Sequence, residues 1–412
     1  MWEQVLNLIL NNKYIREERV KMLTKINNKN GDELSILGFG CMRLPSDEIN
    51  AINLIHEAIE NGINYFDTAY IYQAGKNEIL LGKALTGGYR ERVKVATKLP
   101  PYMVNSLSSA KKILSTQLSR LQTEYIDYYL IHMLTDKAMF DKMVNLGVME
   151  WLEEEKIKGT INNIGFSFHG SKYDFELIIK AYDWDFCQIQ YNYLDENNQA
   201  TKSGLMLACS LGIPVIIMEP LRGGKLVNNL PQNVIKAFNS YVVDRSPAEW
   251  ALRWIWNHKE VNVVLSGMNS EEQLNENIRI ACDAKSDSLT IEELKIFDKV
   301  KMIMAEKTKV PCTACGYCMP CPHGVNIPGC FSSYNDKYLL EDKMHRFKYY
   351  QTLGGFSAKP SFASQCKECG KCEIHCPQKI EIRKQLKTVD REMEGVVLKT
   401  AVKAVRKLLK IK

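Results

Sequence analysis

No apolar run in the chain approaches the ~20 residues that a membrane-spanning helix needs. Residues 2–10 hold too few apolar positions for a signal peptide and no small-residue cleavage site follows them. Both absences predict a cytoplasmic protein. No Gly-x-Gly-x-x-Gly opens a helical pattern, so the fingerprint of a Rossmann dinucleotide fold is missing. Surplus charge is missing too, except in one place. The formal net charge is +6, and residues 383–412 alone hold ten Lys or Arg against three Asp or Glu, a net of +7. The rest of the chain is close to neutral, which excludes a basic nucleic-acid-binding domain.

What is present is a globular composition, 45% apolar and 25% charged over 412 residues, long enough for a barrel and a small module. Thirteen cysteines would signal disulfides in a small secreted domain. Here eight of them fall in two tight groups near the C-terminus, and without an export signal metal binding is the better reading. Cys41, Cys187, Cys209 and Cys282 stand in apolar contexts and are expected in the core.

Residues 1–22 are polar and poorly patterned, and read as an N-terminal extension. Asn30-Gly31 between short β-like runs predicts a hairpin. Strand and helix signals then alternate eight times, with strands at 35–42, 63–68, 93–98, 126–132, 161–168, 186–191, 213–219 and 261–267. Amphipathic stretches at 49–60, 108–121, 150–158 and 247–257 fall between them. Such alternation implies right-handed crossovers and a parallel sheet. Eight units over residues 23–288 match a (β/α)8 TIM barrel better than a doubly wound sheet.

In such a barrel the strands' C-terminal ends converge on one mouth, where the active site lies. Strand two delivers Asp67 and, in its loop, Tyr72; strand three ends in Lys98 and strand four in His132. Alone, a lysine at a strand end is usually a solvated charge and a histidine after an apolar strand is a satisfied structural residue. Four such groups at neighbouring strand ends are harder to dismiss. A tyrosine pKa of ~10 must fall ~3 units, or ~4 kcal/mol, to reach neutrality. A buried ammonium beside the phenol would supply part of that shift, and a carboxylate would keep the ammonium charged. With a histidine donating to the same oxygen, the set would protonate a carbonyl as hydride reaches its carbon.

Phe66-Asp-Thr-Ala-x-x-Tyr72, Glu78-x3-Gly82, Lys98, Leu130-Ile-His132, Gly165-Phe-Ser167 and Gln190-Tyr-Asn192 together resemble the aldo/keto reductase superfamily, in its order, over roughly residues 24 to 285. The resemblance implies a catalytic tetrad of Asp67, Tyr72, Lys98 and His132, with Tyr72 as general acid and a small carbonyl or alcohol substrate. It also implies a nicotinamide dinucleotide lying extended across the mouth. Ser167 and Gln190 would touch its carboxamide. Glu219, Pro220, Leu221, Arg222, Gly224 and Lys225 would follow the pyrophosphate, with Ser266, Gly267 and Asn277 at the adenosine end. Three features depart from the family pattern: Phe168 follows Ser167 where Asn is common, Met218 stands where an aromatic stacks on the nicotinamide, and 265–277 has neither Lys nor Arg to hold a 2′-phosphate. Lys225 or Arg222 would have to substitute, which leaves NADPH, NADH and a flavin as alternatives.

After a linking helix at 291–305, within a linker 289–308, comes a module at 309–385. It opens with Cys312-x2-Cys315-x2-Cys318-x2-Cys321-Pro and returns to Cys366-x2-Cys369-x2-Cys372-x3-Cys376-Pro. The second run is the spacing of bacterial ferredoxins, whose fourth cysteine serves the other cluster. Zinc sites use two separated pairs rather than four cysteines in a row. The expectation is two 4Fe-4S clusters, one on Cys312, Cys315, Cys318 and Cys376, the other on Cys366, Cys369, Cys372 and Cys321, with Cys330 an alternative to Cys321. Helical character at 331–350 suggests a mainly α-helical ferredoxin-like module that would meet a redox partner protein. In the tail, 386–412, Leu398, Val402, Val405 and Leu409 share one helical face, with Lys399, Lys403, Arg406 and Lys410 on another. The tail could dock on an anionic membrane surface or an acidic partner, or pack as a solvated helix on its own protein, and the last is favoured.

Overall fold

The computed structural model describes residues 21–228, 230–312, 318–339, 344–355, 359–376, 379–395, 399–400, 402 and 404–406. The extension up to residue 20 lies outside them.

The hairpin forms where Asn30-Gly31 predicts it. β1 (Thr24–Ile26) pairs antiparallel with β2 (Glu33–Ser35), and Gly31 turns at φ +79°, a conformation that side-chain-bearing residues avoid. Eight parallel strands then close a barrel: β3 (Leu37–Gly40), β4 (Tyr65–Asp67), β5 (Lys94–Leu99), β6 (Ile126–Leu134), β7 (Ile161–Phe168), β8 (Phe186–Gln190), β9 (Val215–Met218) and β10 (Val261–Ser266), with β10 pairing back onto β3. All eight are the strands expected; β5 and β6 run on by one and two residues.

Alternation divides their side chains between two cores. Tyr65, Ala96, Tyr128, Leu130, Phe186, Ile216, Val263 and Leu265 fill the barrel with Leu34 from the hairpin. Their neighbours Phe66, Val95, Tyr129, Ile131, Phe166 and Val264 meet the surrounding helices. The hairpin plugs the N-terminal end: Asn27 Nδ2 donates to the Tyr128 hydroxyl at 3.1 Å, and that hydroxyl donates to Asp32 at 2.7 Å. The opposite end is the mouth.

Helix starts follow their caps. Asp47 caps Glu48–Glu60, Ser106 opens Leu107–Leu121 with a capping box, and Ser246 precedes Pro247 at the head of Pro247–Trp256. The helix Ile291–Glu306 begins at a Thr290/Glu293 capping box. It packs Phe297 against Trp250 and Tyr193, so it belongs physically to the barrel's outer layer.

The C-terminal module has its own core, including Val310, Ile327, Phe331, Tyr334, Tyr349, Leu353, Phe362, Leu386 and Met393. It is mainly helical, as expected: Ile327–Leu339, His345–Thr352, Lys371–Ile374 and Ile382–Val389. The helical stretch read at 331–350 is two helices, with 340–343 outside the described residues. In the tail, Val402 packs on this core and Arg406 Nη1 donates to the Gly355 carbonyl at 3.2 Å, whereas Leu398, Lys403, Leu409 and Lys410 lie outside the described residues. Among the described residues no helix is long and apolar enough to cross a membrane.

Cys41 and Cys187 are buried as expected, but Cys209 is exposed and Cys282 half-buried. The helix Thr201–Ser210 turns Gly204, Leu205 and Ala208 inward, which leaves Cys209 on its outer side.

Candidate active site

Asp67 closes β4, Lys98 lies one residue before the end of β5, and His132 points from β6 toward the loop that carries Tyr72. Lys98 is fully buried. Its Nζ donates to Asp67 Oδ1 at 2.5 Å and to the Thr68 carbonyl at 2.6 Å. The other Asp67 oxygen accepts from Gln188 Nε2 at 2.8 Å. Lys98 Nζ stands 5.1 Å from the centre of the Tyr72 ring, and the Tyr72 and His132 rings meet edge-on at 6.0 Å. Asp67, Lys98 and His132 are buried while Tyr72 is half-buried, the most exposed of the four.

The loop that presents Tyr72 is fixed from below. Glu78, fully buried, accepts from Thr97 at 2.6 Å, Gln117 at 3.0 Å and Arg120 at 3.0 Å. Arg120 also donates to the Tyr70 carbonyl at 3.1 Å. The Glu78 carboxylate therefore locks the following helix to β5, with Tyr72 above it.

Burial pulls the Lys98 ammonium down, but Asp67 and Tyr72 outweigh it and hold Lys98 above its ordinary value. Burial pushes the Tyr72 phenol above its ordinary 10, with Asp67 adding to the rise and Lys98 opposing it. The expected drop of Tyr72 toward neutrality is not found. Desolvation is the larger effect. Burial, then Lys98 and His169, hold His132 far below its usual range, so its imidazole is neutral at pH 7. His132 Nδ1 is buried with no hydrogen-bond partner.

The residues expected along the dinucleotide lie on the β6–β10 side of the mouth. Ser167 Oγ accepts from the Met133 amide at 2.8 Å. Gln190 Nε2 donates to Asp195 and its Oε1 accepts from Gln199, both at 2.8 Å. Met218 ends β9 half-buried, followed by buried Pro220 and half-buried Leu221. Asn277 Nδ2 donates to Ser266 Oγ at 2.8 Å, beside Gly267.

Of the two substitutes for the phosphate grip, Arg222 is already engaged. Arg222 is clamped by Asp195 on two sides and donates Nη1 to Asp336 at 2.7 Å. Burial, with Lys348 beside it, draws Lys225 down to about 8. Asp336 comes from the C-terminal module, which covers this side of the mouth. Lys348 reaches Glu219 at 3.4 Å, and Gln351 Nε2 lies 3.5 Å from Met133 Sδ. Between the two parts is a polar chamber lined by His169, Gln190 and Glu219 below and Ser333, Asp336 and Lys348 above. That cover, and Gln188 under Asp67, carried no sequence signal.

In the module, Cys321, Cys366, Cys369 and Cys372 line one pocket with Pro322 and Ile327. Four thiols around one pocket suit the four ligands of an iron–sulfur cubane, and they are the second expected set. Among the described residues no three metal-ligating groups converge on a common point for a single ion. Cys330 is outside this lining, buried against the Tyr349 hydroxyl at 3.8 Å and the Ser361 carbonyl at 3.7 Å. Of the first set, Cys312, Cys318 and Cys376 are half-buried on the same core, and Cys315 lies outside the described residues.

A closed parallel barrel with Asp, Tyr, Lys and His gathered at its mouth defines a class of oxidoreductases, and comparison with known proteins agrees. Residues 36–301 match the model of the aldo/keto reductase family and residues 311–381 that of the 4Fe-4S dicluster domain. The chain belongs to the aldo/keto reductase family and carries this iron–sulfur domain at its C-terminal side. It is 29% identical over 292 residues to the uncharacterized oxidoreductase YqkF of Bacillus subtilis, covering 64% of this chain and 91% of that one. A probable aldo-keto reductase of Glycine max is 30% identical over 288 residues, with 60% and 81% covered. Among solved structures, an aldo-keto reductase from Bacillus halodurans in its holo form aligns with TM-score 0.58 and 30% identity, over 68% of this chain and 96% of its own. One from Klebsiella pneumoniae in complex with NADPH shares the fold at TM-score 0.56 and 22% identity, with 68% and 96% covered.

Proposed function

We propose that the protein transfers hydride between a nicotinamide dinucleotide and a small carbonyl or alcohol, with Tyr72 as general acid, and that its C-terminal domain holds two 4Fe-4S clusters that exchange electrons with a redox partner protein. The observation that carries the reading is the buried Asp67–Lys98 pair set against half-buried Tyr72, with neutral His132 beside it. Gly223, Gly224 and Gly267 leave the phosphate side of the mouth without side chains, which suits an extended dinucleotide. When bound, the dinucleotide would supply the hydride and the clusters single-electron transfer. Asp67 keeps Lys98 charged, Lys98 orients the Tyr72 hydroxyl, Tyr72 gives its proton to the substrate oxygen, and His132 offers that oxygen a hydrogen bond. Because a hydride carries two electrons and each cluster passes one, the coupling calls for a flavin, placed either in the partner or in this mouth.

A second reading, an ordinary reductase with structural clusters, is favoured by the Arg222–Asp336 and Lys348–Glu219 pairs, through which the domain acts as a cover. Anaerobic purification, iron and sulfide analysis and addition of NADPH or NADH separate the two. Electron coupling predicts about eight irons per chain and bleaching of the visible spectrum. Iron without bleaching, even after free FMN or FAD is added as mediator, assigns the clusters a structural role, and a colourless zinc protein sinks the cluster reading.

The electrostatics give a pH dependence. Tyr72 is held above its ordinary 10 and His132 far below 6.5, so neither titrates between about pH 7 and 9. Carbonyl reduction should therefore be flat across that range, while alcohol oxidation, which needs the phenolate, should climb. A reduction rate that halves near pH 7.5 would place the proton donor on another group.

A further inference from the structure

On the phosphate side of the mouth the cations near the dinucleotide path are mostly engaged, and the turn after β3 brings a further one there. Residues 265–277 contain neither Lys nor Arg, Arg222 is held by Asp195 and Asp336, and Lys225 is half-buried beside Lys348. Arg43 comes from the turn after β3. Buried Cys41 and Leu44 anchor that turn on either side, and the Leu44 amide donates to the Cys41 carbonyl at 3.0 Å. Since β10 lies between β3 and β9 in the barrel, the loops after β3, β9 and β10 are neighbours.

The Arg43 side chain crosses this junction. A Cβ built on Gly223 would lie 2.5 Å from Arg43 Nη2, and one on Gly267 would lie 3.6 Å from Arg43 Nη1. Gly223 is exposed at φ +68°, so its lack of a side chain serves both the turn and the guanidinium. Arg43 itself is exposed, and among the described residues it has neither a hydrogen-bond partner nor an ion pair. An unpaired arginine on a surface is ordinarily only solvated. Here its planar fork of donors lies between the two loops expected to carry the pyrophosphate and the adenosine, the one place where a doubly charged diphosphate would meet it.

We propose that Arg43, lying against Gly223 and Gly267, grips the diphosphate of the nicotinamide dinucleotide. The assignment rests on the cofactor reading above, and binding tests it apart from turnover. NADPH and NADH are titrated, under anaerobic conditions, into the full chain with its clusters, and tryptophan fluorescence gives Kd. Arg43→Met should raise Kd for both by about tenfold or more, as for loss of an ionic hydrogen bond. Arg43→Lys should recover part of the loss, and rising salt should weaken the wild type more than Arg43→Met. Because Arg43 is exposed and unpaired, the variants should keep the wild-type circular dichroism.

Unchanged Kd for both dinucleotides in Arg43→Met overturns the assignment alone. A loss confined to NADPH overturns the diphosphate in favour of the 2′-phosphate. A wild-type protein that binds neither dinucleotide overturns the cofactor reading, and this assignment with it.

Discussion

Tyr72→Phe should lower carbonyl turnover by about 10²–10⁴-fold, the usual worth of a positioned general acid, while iron content and dinucleotide affinity stay at wild-type levels. The phenylalanine ring keeps the contacts that the tyrosine ring makes, 5.1 Å from Lys98 Nζ and 6.0 Å from the His132 ring. It lacks only the hydroxyl. Lys98 gives up its hydrogen bond to the Tyr72 hydroxyl but remains bound to Asp67 and to the Thr68 carbonyl. The result is thus free of the stability loss that a change at Lys98 would bring: removing one member of a buried pair costs about 3–5 kcal/mol. Steady-state rates, Kd and iron analysis on one preparation decide the matter. Turnover within a fewfold of wild type would show that protonation does not depend on Tyr72.

How much of this site could be read from the chain depends on how local each signal is. The eight strands were legible because parallel strands covered on both faces are nearly continuous apolar runs. Where such a run ends in a charged residue, as at Asp67 and Lys98, it marks the mouth. Tyr72 was legible by its fixed spacing from Asp67. Gln188 was not, since its role rests on reaching Asp67 from four strands round the barrel. Arg222 looked like a phosphate ligand until its partners were known, and one of them, Asp336, comes from the other domain. Arg43 carries no local signal, because its meaning lies in two glycines far along the chain. The direction of the Tyr72 shift is hidden for a different reason. The ammonium beside it is legible in Lys98, but the desolvation that outweighs it depends on how deeply the folded mouth is enclosed.

Removing the iron should unfold the C-terminal domain and leave the barrel standing. The two parts have separate cores, the barrel's built on a hydrogen-bonded closed sheet and the domain's on four short helices. A unit of ~70 residues buries too small a fraction of its surface to be secure by packing alone, and metal ligation commonly makes up the difference. Here Cys321, Cys366, Cys369 and Cys372 bring chain segments more than forty residues apart around one pocket, next to the buried Ile327 and Leu386. With the clusters stripped, those thiols are only half-buried or, at Cys369, exposed groups at the edge of a thin core. After oxidative chelation, hydrogen exchange in Ile327–Leu339, His345–Thr352 and Ile382–Val389 should accelerate about 100-fold or more, equivalent to ~3 kcal/mol. Exchange in β5, β6 and β7 should stay slow. The Arg222–Asp336 and Lys348–Glu219 pairs would open together, so the β8 and β9 loops should gain exchange to a smaller degree. Equal protection with and without iron would mean that the apolar core alone holds the domain on the mouth.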